Sequence, residues 1–143
     1  MSITPSQKSL IVSGAILFLL GLLQGAAVHL FANPRMALSA HLTAVQSGLA
    51  LMITGVVWGA VSLKPGLQNA SRWLIIVSMY ALWLGLTLSA ASGASEALPI
   101  AGAGHSAGRF VETVVSGVVL GSSGLMTAGW LLFVLGLVRS KPM

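Results

Sequence analysis

Asn33-Pro34-Arg35-Met36-Ala37-Leu38-Ser39-Ala40-His41 opens on a helix cap and ends on an imidazole carried into apolar sequence. Asn33 suits an N-cap, and Pro34 suits the first helical position, where a missing N–H costs nothing. His41 follows Pro34 by seven residues, which at about 1.5 Å per residue places it roughly 10 Å into the helix. Residues 42–61 are almost entirely apolar or small. An ionisable side chain at that depth in lipid marks a functional site by default. The stretch therefore predicts a membrane helix with His41 as an axial haem ligand.

Composition supports a membrane setting. The chain has 143 residues, 56% hydrophobic and 6% charged, whereas a soluble domain carries about 25% charged residues. So few charges cannot cover a water-facing surface, and an integral membrane protein follows. Apolar runs predict helices at about 10–31, 34–63, 72–91 and 109–138, each near or above the ~20 residues that cross the hydrocarbon core. They fill 1–143 as one all-α, four-helix transmembrane domain. Lys8 ahead of an apolar run has the look of a signal peptide. The run outlasts the about 7–15 residues of a secretory apolar region, so it is taken as the first span. Lys64-Pro65-Gly66 is taken to stop the second helix, and Ser71 to cap the third. Asn69-Ala70-Ser71 matches the glycosylation sequon but falls on the cytoplasmic side. Residues 92–108 form one long loop rich in Gly, Ala and Ser, of a kind that often serves as a lid or binding loop.

The net charge of +5 rests on seven basic residues near span ends. These read as topology and headgroup anchors, with lipid as partner and no nucleic acid. Lys8, Lys64, Arg72, Arg139 and Lys141 share one side, five against Arg35 and Arg109 on the other. The positive-inside rule then puts both termini in the cytoplasm of a multi-pass inner-membrane protein. His29, Asn33, Arg35, His41 and the long loop gather at the opposite end of the bundle. The absence of cysteine excludes disulfides, cysteine-ligated zinc, iron–sulfur clusters and a thiolate nucleophile. Glu96 and Glu112 are the only acids, too few for an extended carboxylate site. Glu112 stands in the first turn of the fourth helix, where the helix dipole favours it.

Three Gly-xxx-Gly pairs, Gly21/Gly25, Gly55/Gly59 and Gly117/Gly121, permit close helix approach, either within one bundle or between copies. Four helices make a thin bundle for burying a macrocycle, so an oligomer with the site at or near its interface is expected.

The plainer alternative for His41 is a neutral imidazole hydrogen-bonded to a neighbouring helix. Burial of such a ring in lipid is costly, however, and neutral imidazole is the commonest metal ligand. Haem is apolar over most of its area and needs one protein nitrogen, whereas zinc asks for three or four. His29 is a second possible ligand or an interfacial residue touching water, and His105 a loop residue bonded locally or solvated. Arg35 either reaches lipid phosphates or pairs with a haem propionate. Tyr80 and Trp83, three residues apart, share a face of the third helix. They suit either an aromatic substrate or simple packing, and a mid-membrane tyrosine needs a partner for its hydroxyl. Gln24 interrupts the first apolar run, and Gln46 and Ser47 follow His41. Ser47 either faces the same cavity obliquely or bonds back to its own helix.

Asn33-Pro34-Arg35-Met36-x-Leu38-Ser39-x-His41-Leu42 resembles the signature of the hydroxylaminobenzene mutase family, relatives of the membrane-bound styrene oxide isomerases. Tyr80-x-x-Trp83-Leu84-Gly85 and Pro99-Ile100-Ala101-Gly102-Ala103-Gly104-His105, with Glu112 following, are similar to the same group. The resemblance implies four transmembrane helices, a homotrimer and haem b. It makes His41 the axial ligand and Tyr80 part of the substrate pocket. The isomerases use an asparagine six residues after the ligand histidine, where this chain has Ser47.

Together these readings point to a haem-dependent isomerase of small aromatic substrates. His41 holds the iron, with Arg35 at a propionate, Tyr80 and Ser47 as catalytic groups, and Trp83 stacking on the substrate ring. Ferric haem as a Lewis acid suits two redox-neutral rearrangements, aryl hydroxylamine to aminophenol and aryl epoxide to aldehyde. A small b-type cytochrome with His29 and His41 both on iron is the alternative. A third reading is a cofactor-free bundle that packs against other membrane proteins.

Overall fold

Residues 3–140 are described by the structure, a computed structural model, so Lys141 of the charge count lies outside the described residues. The first helix, α1 (Pro5–Ala26), begins five residues before the apolar run. The cause is a capping box. Gln7 N donates to Thr4 Oγ1 at 3.3 Å and Thr4 N to Gln7 Oε1 at 3.0 Å, with Pro5 in the first turn. A single 3-10 turn, Val28–Leu30, follows α1 and carries the exposed His29.

The second helix, α2 (Pro34–Val57), starts where its cap predicts: Met36 N donates to Asn33 Oδ1 at 3.2 Å. It gives way to a 3-10 turn, Trp58–Ala60, short of the expected 63. The chain then bends so that Ser62 N reaches the carbonyl of Gly136 at 2.9 Å.

The third helix, α3 (Pro65–Ser92), corrects the sequence reading. Pro65 starts this helix, with Lys64 extended before it as a residue preceding proline prefers to be. Ser71 is therefore no cap. It is fully buried inside α3 and donates its hydroxyl to the carbonyl of Gly129 at 3.0 Å. Gly93, at φ +81°, closes the helix in the left-handed conformation that glycine adopts freely. The fourth helix, α4, spans Arg109–Val138 as expected.

All four helices, 22, 27, 28 and 30 residues long with the 3-10 turn counted into the second, are apolar and long enough to cross a membrane. Leucine and valine side chains such as Leu23, Leu42, Leu120 and Leu131 cover the outside.

Helices pack in chain order: α1 on α2, α2 on α3, α3 on α4. The α1–α2 seam repeats in steps of seven residues, two turns of each helix. Gly21, Gly14 and Gln7 meet His41, Gly48 and Gly55 in turn. A Cβ at Gly14 would stand 2.6 Å from the Gly48 carbonyl oxygen, so the backbones nearly touch. Gly21/Gly25 is thus consumed inside the bundle. Gly117 and Gly121 differ, because a Cβ at either meets nothing within 4 Å.

Candidate functional site

One end of the bundle is organised by Asn33, which is fully buried. Besides capping α2, its amide Nδ2 donates to Ala101 O at 3.0 Å and its backbone N to Ala90 O at 2.9 Å. It therefore joins the start of α2, the end of α3 and the long loop. Asn33→Ala removes the cap and the loop bond together and should lower stability by about 2 kcal/mol, read as a fall in melting temperature.

The loop is held from the other side by Glu112, which is 4% exposed. Its carboxylate accepts from Ser95 N, Glu96 N and Ala107 N, each at 3.0 Å. Both ends of the loop thus hang on one side chain. Ser95 Oγ donates to His105 O at 2.9 Å, and His105 Nε2 donates to Ala32 O at 3.2 Å. Sequence reading placed Glu112 correctly in the first turn of α4 but missed this clamp, since its donors lie up to 17 residues away.

Arg35 is exposed and donates to the carbonyl of Ala103. With Ser39, Leu98, Ile100 and Ala101 it lines a groove of about 430 Å³ between α2 and the loop.

His41 points at α1. Its Nδ1 lies 2.7 Å from the carbonyl oxygen of Gly21. A carbonyl only accepts, so Nδ1 carries a proton and Nε2 is the ring nitrogen left for any other partner. Nε2 has no hydrogen-bond partner among the described residues and is not enclosed by protein. The bond to Gly21 of α1 is what the plainer reading of a histidine tied to a neighbouring helix expects, and the unpartnered Nε2 also leaves the ring the nitrogen that an axial haem ligand requires. Among the described residues no three of His, Cys, Asp and Glu gather to hold a metal ion by themselves.

The same turn of α1 holds Trp83. Its Nε1 donates to Gln24 Oε1 at 2.7 Å, and Gln24 Nε2 donates to Thr87 Oγ1 at 3.0 Å. Gln24 is 8% exposed, and this ladder satisfies its amide away from water. His41 and Trp83 are thus brought to one stretch of α1, residues 21–25. The glutamine was visible in sequence as a polar break; its partner was not.

Tyr80 is set apart from that stretch. Its hydroxyl donates to Ser13 O at 2.7 Å, about two helical turns before Gly21 on α1. Ser47 is buried on the strip of α2 that runs through Ala40, Ala44, Leu51 and Thr54. Its hydroxyl makes no hydrogen bond among the described residues.

Comparison with known proteins adds an independent line. The family model for styrene oxide isomerase matches residues 6–138. Over 134 residues the chain is 37% identical to hydroxylaminobenzene mutase HabA of Ectopseudomonas oleovorans, covering 93% of this chain and 99% of that one. It is 35% identical over 139 residues to hydroxylaminobenzene mutase HabB of the same organism, covering 96% of this chain and 84% of that one. No solved structure matches.

Proposed function

The chain belongs to the styrene oxide isomerase family, and from that membership we propose that it holds haem b through His41 and rearranges small aryl hydroxylamines to aminophenols in the inner membrane. The observation that carries the haem assignment is the Gly21 carbonyl on His41 Nδ1, which leaves Nε2 as the free donor atom. The substrate class follows from the two relatives, both named hydroxylaminobenzene mutases. Aryl epoxides are the second class to test, from the name of the family model.

The reaction conserves atoms and electrons. The N–O bond breaks, a C–O bond forms at the ortho ring carbon, and the proton displaced from that carbon ends on nitrogen. Bound haem supplies a ferric Lewis acid for the substrate oxygen. Tyr80, the matching tyrosine of the third helix, holds its hydroxyl on the Ser13 carbonyl and borders the substrate pocket from that side. Trp83 has its N–H committed to Gln24 and its ring packed against the core, which fixes its orientation beside the site. Ser47 supplies a second hydroxyl free of protein partners. Arg35, with one of its five N–H donors on Ala103, keeps others for a propionate. The apolar surroundings of a membrane span keep water from the electron-deficient ring.

Both termini face the cytoplasm, and three copies assemble so that each His41 lies beside a neighbour. The unpartnered Nε2 and the open Gly117/Gly121 face of α4 support that arrangement.

Purified protein assayed for product from phenylhydroxylamine and styrene oxide, beside a pyridine haemochrome measurement, tests the proposal. Aminophenol formation with stoichiometric haem is the expected result. A low-spin haem saturated in both redox states and inert to azide would instead identify an electron carrier, and colourless protein without product a packing module. Tyr80→Phe is expected to keep its haem and turn over more slowly. It also loses one α1–α3 hydrogen bond, worth about 0.6 kcal/mol in a membrane. Unchanged kinetics would return Tyr80 to packing alone.

A further inference from the structure

His41 is seated by the absence of a side chain. A Cβ built at Gly25 would stand 2.7 Å from His41 Cε1, 2.7 Å from Nδ1 and 3.3 Å from Cγ. Those are consecutive ring atoms on the Nδ1 edge, and Nε2 is not among them. The bond from Nδ1 to the Gly21 carbonyl, at 2.7 Å, ends on backbone of the same helix. The ring therefore lies between a carbonyl that sets its tautomer and a glycine whose bare Cα leaves room for it.

We propose that Gly25 is a positioning residue for the haem ligand. Its missing Cβ makes the space in which the Gly21 carbonyl holds His41 by Nδ1, with Nε2 left without a protein partner. This rests on the haem reading above. Any side chain at residue 25 drives the ring off its acceptor. The expected consequences are weaker haem binding and a less basic axial nitrogen, since a ligand histidine that donates its second N–H is the stronger base.

Gly14 provides the comparison. It belongs to the same seam, but its Cβ would meet Gly48 O at 2.6 Å and Met52 N at 2.8 Å, not the imidazole. Gly14→Ala loosens the seam without touching the ring.

The experiment loads parent, Gly25→Ala and Gly14→Ala chains with haemin. It measures haem per chain, transfer of haem to apomyoglobin, the Soret band and the ferric/ferrous midpoint potential. Gly25→Ala should hold haem about 10–100-fold more weakly, with a raised midpoint potential. Gly14→Ala should melt at lower temperature with the parent's spectrum and potential. In His41→Gly chains, with and without Gly25→Ala, added imidazole should restore the Soret band equally, because an untethered ring can step away from the methyl. In the parent holoprotein the ferrous iron–histidine stretch reads the Nδ1–H bond whether or not a variant folds.

A parent stretch typical of imidazole without an acceptor overturns the proposal. So do parent-like haem affinity and potential in Gly25→Ala, or equal spectral damage from Gly14→Ala. Full haem retention by His41→Ala removes His41 as the ligand, and this inference with it.

Discussion

A His41→Ala chain is expected to be a folded, colourless membrane protein without isomerase activity. The imidazole contributes one interhelical hydrogen bond, to Gly21, and such bonds average about 0.6 kcal/mol within membranes. Its neighbours on the seam, Gly14 on Gly48 and Gly55 on Ile11, remain in contact. Loss of the ring therefore costs little in packing. It removes the nitrogen assigned to iron. Pyridine haemochrome of the purified variant should fall to background while far-ultraviolet circular dichroism keeps its helical amplitude. Parent-level haem would transfer the ligand role elsewhere, with His29 the first residue to examine.

The second large effect is expected at Glu112. Alanine there leaves the backbone N–H groups of Ser95, Glu96 and Ala107 without their acceptor at the same moment. These three part-buried donors would have to turn to water or to other acceptors, and they tie down both ends of the loop. Glu112→Ala should free the loop to open by itself, since the four helices keep their own seams. Limited proteolysis ought to cut the variant within 95–107 under conditions where the parent stays whole. The groove beside Arg35, whose wall is residues 97–101, should be lost with it. Glu112→Gln keeps one acceptor oxygen but turns an NH₂ toward the same donors, and should fall between the two. A Glu112→Ala chain as protease-resistant as the parent would show that the Asn33 and His105 bonds suffice to hold the loop.

Several functional features were legible because they are local. Asn33 and Pro34 announce the start of α2 through capping chemistry that depends on a few adjacent residues. Pro65 was misread in the same window. Proline both ends helices and begins them, and only the fate of the residues after it tells which. Ser71 looked like a cap for the same reason, until Gly129 of α4 appeared opposite its hydroxyl.

Four membrane crossings, their all-α character and a lone histidine deep in the second were determined by the sequence alone, because apolar length and the scarcity of charge act on each segment independently of the others. The tertiary structure alone decided that Gly21 and Gly25 seat His41, that Gln24 takes up Trp83, and that Glu112 gathers the ends of the loop. Those pairings depend on the register in which two helices meet. Register is set by how side chains and bare backbone interlock along the whole seam, and no single segment carries that information.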